Sequence, residues 1–110
     1  MTSYFVNVVA QAERDAEKIF DWLAARSTAG ATRWAMALRT AYERLAENPL
    51  AFGQAPERVR PPVKIRHILF KTPRGKHYRA VFVIEGDEVR VLRIRRPHQR
   101  VMRRRDMPGI

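Results

Sequence analysis

The chain has 110 residues, enough for one domain with a core of its own. It has no cysteine, which excludes disulfides and thiolate metal sites, and its three histidines show no metal-ligand spacing. The formal net charge is +11, and all of the excess lies in one half: residues 1–55 hold six Lys/Arg against six Asp/Glu, and residues 56–110 hold sixteen against five.

The run from Tyr4 to Val9 is β-branched and aromatic and predicts a first strand. From about Ala12 the period becomes helical, with Ala12, Ala16, Ile19, Phe20 and Leu23 on one stripe and charged residues between them. Residues 26–30 interrupt that pattern, and Ser27 or Thr28 can cap a second helix. This helix carries Ala31, Trp34, Leu38, Ala41, Tyr42 and Leu45 on one side. It should stop at Asn48, because a residue preceding proline is pushed out of the α region. Two helices joined by so few residues form an antiparallel hairpin.

Residues 49–63 form a loop containing Pro49, Gly53, Pro56, Pro61 and Pro62. Three strands follow, at 65–70, 77–85 and 88–94, the last two joined by a tight turn at Gly86-Asp87. Alternation sends Tyr78, Ala80, Phe82 and Ile84 toward the helices and Arg79, Val81 and Val83 the other way. On the last strand it groups Leu92 with Ile94, and Val91 with Arg93 and Arg95. The tail, basic and loose from about residue 97, completes a single domain over 1–110. The expected class is α+β, in the order β-α-α-β-β-β, with a mostly antiparallel sheet packed on the N-terminal helical hairpin.

A half so basic suits a phosphate backbone, an acidic protein segment or an anionic surface; the plainer alternative is a solvated face that aids solubility. The N-terminus lacks a basic stretch followed by an apolar one, and no apolar run approaches the ~18–20 residues that span a bilayer. A soluble cytoplasmic protein with no membrane partner, no metal and no cofactor is expected. An arginine in mid-strand, such as Arg79, is costly unless it faces solvent or a partner; its ordinary reading is an ion pair with Glu85 or Glu88 across the hairpin. Trp22, Trp34 and Tyr42, at helical spacing, read as hairpin packing rather than a binding stripe, and Arg103-Arg104-Arg105 as a solvated tail.

Several strings in this order resemble the RelE/ParE superfamily of toxins: VVAQAERDAEKIFDWLAARS, then ATRWAMALRTAYERLAENPLAFG with its Leu45, Pro49 and Gly53, then IRHILF and HYRAVFVIEGDEVRVLRIR. The likeness spans residues 4–100 or so. It implies the toxin of a type II toxin–antitoxin (plasmid stabilisation) system, held in a hetero-oligomer by a cognate antitoxin with an acidic amphipathic segment. Two targets come with it: DNA gyrase for ParE-like members, ribosome-bound mRNA for ribonuclease members. For a metal-independent endoribonuclease, the resemblance places catalytic roles on Arg66, Arg79, Arg95 and His98 along an open sheet face. Contacts with a nucleic acid or other target would fall to Lys76, Arg79, Arg93, Arg95 and Arg96.

RNA cleavage also needs a base, and arginine, always protonated, is a poor one. His98 is the first candidate; His77 and Lys76 come next, and His67, alternating with Ile65 and Leu69, reads as structural or surface. No tyrosine follows Tyr78, and the acids after it sit at the hairpin turn or in the tail. That departure from the ribonuclease pattern tilts the reading toward a ParE-like toxin. A non-toxic nucleic-acid-binding protein is the alternative from a different class.

Overall fold

The computed structural model describes residues 3–110. A strand, β1 (Phe5–Val8), leads into the helices α1 (Ala10–Ala24) and α2 (Thr28–Glu47), and three strands follow: β2 (Arg66–Phe70), β3 (Tyr78–Glu85) and β4 (Glu88–Arg95). The element order and α+β class are those expected.

Local chemistry accounts for the boundaries. The Ser27 hydroxyl accepts a hydrogen bond from the Gly30 N–H at 3.0 Å and caps α2. At the other end Asn48 leaves the helical region just before Pro49, which opens a short 3-10 turn. Gly86 turns the β3–β4 hairpin at φ +61, a left-handed conformation that costs glycine nothing.

The sheet order is β1-β4-β3-β2. β2–β3 and β3–β4 are antiparallel, while β1 lies parallel to β4, with Phe5 beside Glu88 and Val8 beside Val91. The hairpin α1–α2 covers one face. Ala12, Ile19, Trp34, Leu38 and Leu45 meet Ile68, Phe70, Ala80, Phe82, Val91 and Ile94 there in one apolar core. No helix of the described residues is long and apolar enough to cross a membrane.

One expectation about β4 fails for a definite reason. Val81 pairs with Arg93 but Phe82 pairs with Val91, so Leu92 is an extra residue, a β-bulge. The bulge shifts the alternation. Val91 and Ile94 both face the helices, and Leu92 faces the opposite side, rather than Leu92 sharing a face with Ile94.

That opposite side is also covered. Ala55 from the proline-rich loop, Ile65 just before β2, and Met102 and Met107 from the C-terminal segment pack onto Val81, Val83 and Leu92. The tail expected to be loose from about residue 97 thus contributes two buried methionines and a 3-10 turn at Arg104–Asp106. The sheet has a core on each face.

Candidate functional site

Arg79 is the pivot of the second face. It stands in β3 opposite Arg95, and its guanidinium grips the Glu57 carboxylate with two parallel bonds, Nη1 to Oε1 and Nη2 to Oε2, each 2.8 Å. Glu57 is wholly buried, and its Oε2 also accepts the Met102 N–H at 3.0 Å. Burial by itself would raise this carboxyl, but the Arg79 hydrogen bonds, the Met102 N–H and the Arg79 charge hold it down at about 2. The expected partners across the hairpin, Glu85 and Glu88, bind Arg90 instead.

His67, on β2, completes the cluster with Nδ1 3.2 Å from Arg79 Nη1. Because arginine has only protons to offer, Nδ1 accepts and the ring is neutral with its proton on Nε2. Burial and the neighbouring Arg79 charge both lower its pKa.

The other candidates disperse. Arg66 stands opposite Phe82, on the helix side of the sheet, and donates from Nη1 to the Phe52 carbonyl at 2.8 Å. It does not share a face with Arg79. Arg95 is nine-tenths buried, donates from Nη2 to the Arg100 carbonyl and leaves its Nε without a partner among the described residues. Burial, and then repulsion from Arg93 and Arg79, lower its pKa. Arg93 binds Asp15 of α1 through Nε at 2.7 Å and Nη2 at 3.1 Å, and reaches the Asp106 carbonyl with Nη1 at 2.7 Å. Asp15 also accepts the buried Ile94 N–H, so this carboxylate ties α1 to β4 while Arg93 ties β4 to the tail. His98 is exposed, in a left-handed turn at φ +65 past β4. Lys76 and Arg96 are exposed as well, at the end of the sheet near the helical hairpin turn.

Chemically, the buried cluster offers little to a substrate. The Arg79 fork is already filled by a carboxylate, so a phosphate would have to displace Glu57. A carboxyl held near 2 is a weak base at neutral pH and has no proton to give. Sequence reasoning missed Glu57, which lies in an aperiodic loop. The available signal was its isolation: it is the sole acid between Glu47 and Glu85 in a strongly basic stretch.

On the helix side, a cavity of about 420 Å³ runs along the hairpin, with Phe20, Trp34, Leu38 and Tyr42 in its lining and Glu17, Asp21 and Arg39 beside them.

Comparison with known proteins decides the kinship. Residues 6–101 match the model of the ParE toxin of the type II toxin–antitoxin system, parDE. The chain belongs to the ParE toxin family. A solved structure described as the chromosomal ParDE TA system from P. aeruginosa resembles it with a TM-score of 0.63 at 20% identity. The match covers 86% of this chain and 96% of that one. At that identity the likeness speaks for the fold. No protein of curated function matches the chain. The ParE toxin described here therefore carries its charge in two ways. Arg79, Arg90 and Arg93 sit in ion pairs among the described residues, while Arg26, Lys76 and Arg96 converge on one end of the domain with no carboxylate paired to them.

Proposed function

We propose that this ParE toxin arrests growth by acting on DNA gyrase in the cytoplasm and that a cognate antitoxin neutralises it in a hetero-oligomer. Family membership supports the toxin–antitoxin assignment. The observation that favours gyrase over mRNA is the closure of the second sheet face. The arginine that a ribonuclease would turn toward phosphate is saturated by Glu57 at 2.8 Å, beneath the C-terminal segment. Of the other nuclease candidates, Arg66 and His98 lie away from it, and Arg95, opposite Arg79, is nine-tenths buried and bonded to the Arg100 carbonyl. For the antitoxin, the apolar cavity along α1 and α2 suits the hydrophobic side of an amphipathic segment, and its acidic side would offset the basic half.

The test is induced expression without antitoxin, with gyrase supercoiling and mRNA 5′ ends followed in parallel. Supercoiling should fall while mRNA stays intact, and a co-expressed antitoxin should restore growth. Site-specific mRNA cleavage that Arg79→Ala abolishes in a folded protein would reverse the assignment in favour of an endoribonuclease. Normal growth with folded toxin accumulating would favour a non-toxic nucleic-acid-binding role.

A further inference from the structure

The α1–α2 turn, the β2–β3 connection and the end of β4 enclose a cavity of about 450 Å³. This volume falls in the range of small-ligand sites, roughly 300–1,000 Å³. Its lining includes three aromatic side chains, Trp22, Trp34 and Tyr78, and three cations, Arg26, Lys76 and Arg96, and no carboxylate. Trp22 is 46% exposed. The Arg26 guanidinium lies 3.7 Å from the centroid of its ring, and that of Arg96 lies 5.8 Å away. Trp34 is only 3% exposed, and its indole N–H has no hydrogen-bond partner among the described residues. Trp34 is part of the floor rather than the open surface, since its ring packs on Phe70 and Tyr78.

These features ask for one ligand chemistry. The half-exposed Trp22 ring, with guanidinium groups 3.7 and 5.8 Å from its centroid, forms a stacking platform for a flat ring. The three cations, none with a carboxylate partner among the described residues, ask for a negative group beside that ring, and a phosphate provides it. An acidic peptide would satisfy the cations but leave the platform unused. A duplex would keep its bases stacked away from it.

We infer that this pocket binds a nucleotide unit of single-stranded nucleic acid, with the base stacked at Trp22 and the phosphate held by Arg26, Lys76 and Arg96. The site is separate from the Arg79 face and does not rest on the choice of gyrase as target. Trp22 and Trp34 are the two tryptophans of the chain, so intrinsic fluorescence reports on the pocket directly.

The experiment titrates the full-length toxin with a short single-stranded oligothymidylate, following tryptophan quenching and the anisotropy of a labelled copy. Saturable quenching that weakens with added salt is expected. Trp22→Ala, folded by circular dichroism, should lose roughly five- to a hundredfold in affinity, the range for removing one stacked base. Arg96→Ala and Lys76→Ala should each weaken binding and flatten its salt dependence. Arg14→Ala removes the same charge in the first half of α1, where that residue lines a different cavity, and should change little. Three results would overturn the inference: no saturable binding, equal competition by polyglutamate of matched charge, or a Trp22→Ala loss no greater than that of Arg14→Ala. Gyrase inhibition retained in a toxin that binds no oligonucleotide would sink this site and leave the target assignment standing.

Discussion

The two faces of the sheet are covered by different means. Toward α1 and α2 the cover is periodic secondary structure, and the contact is nearly all hydrocarbon, from Ala12 and Leu45 to Phe82 and Val91. Toward the C-terminus the cover is an aperiodic loop and a tail. Ala55, Ile65 and two methionines supply the apolar contact there, while the Glu57–Arg79 ion pair with the Met102 N–H, and the Arg93 bond to the Asp106 carbonyl, hold the backbone in place. The first cover is secured by area, the second by a few hydrogen bonds to charged groups. The difference bears on function, because the charged cover occupies the arginine that the superfamily resemblance makes a catalytic candidate.

The largest expected effect lies on the helix face. Phe82 is fully buried at the centre of the apolar core, and Phe82→Ala should cost about 5 kcal/mol in denaturant unfolding, the upper end for such a truncation. That is a large fraction of the ~5–15 kcal/mol typical of a domain. Glu57→Ala attacks the other face and should cost about 3 kcal/mol, because it strands Arg79 half-buried and leaves the Met102 N–H unpaired. Removing both charges in Glu57→Leu/Arg79→Met should cost less than Glu57→Ala alone, since no buried charge then lacks a partner. A double mutant worse than the single would show that the ion pair is a net source of stability.

Acid should separate the faces in the same way. Glu57 is held at about 2 against an ordinary 4.5, so its contribution is fully present above 4.5 and is lost as pH falls toward 2. By linkage that amounts to about 3 kcal/mol. His67 acts earlier and in the same direction: its folded pKa lies below the ordinary 6.5, so the unfolded chain takes up the proton first and stability falls once pH drops beneath that value. Unfolding followed from pH 7 downward should show both steps, and Glu57→Gln should remove the lower one. A lower step that survives in Glu57→Gln would assign the acid sensitivity to another carboxylate.

The same contrast explains what could be read in advance. The helices and strands came out within one to three residues at each end because periodicity, a serine cap, a proline stop and a glycine turn are local signals. Ser27→Ala probes that level, and the loss of one capping bond should cost about 1 kcal/mol in thermal unfolding. The second face carried no such signal. Met102 and Met107 are isolated apolar residues among arginines, Glu57 sits in a loop without period, and its partners lie far along the chain at Arg79 and Met102. The bulge at Leu92 was hidden for a related reason: one residue inserted in a regular alternation leaves the composition of the strand unchanged. Of the candidate site residues, Arg79, Arg93 and Arg95 were recognisable as unusual strand arginines, but their partners Glu57, Asp15 and the Arg100 carbonyl were not.

Arg90 binds two acids, Glu85 at 3.0 Å and Glu88 at 3.3 Å, where Arg79 binds one. If the number of ion pairs set stability, Arg90→Ala would be the more damaging change. The Arg90 side chain, however, is 26% exposed and Glu85 57%, so water screens these pairs and competes for both partners. Arg90→Ala should cost less than about 1 kcal/mol, and that loss should shrink further in high salt. Arg79→Ala, which strands a wholly buried carboxylate, should cost several times more and respond little to salt. Equal losses for the two variants would mean that Glu57 reaches water when its partner is removed, and that the tail opens more easily than its buried methionines imply.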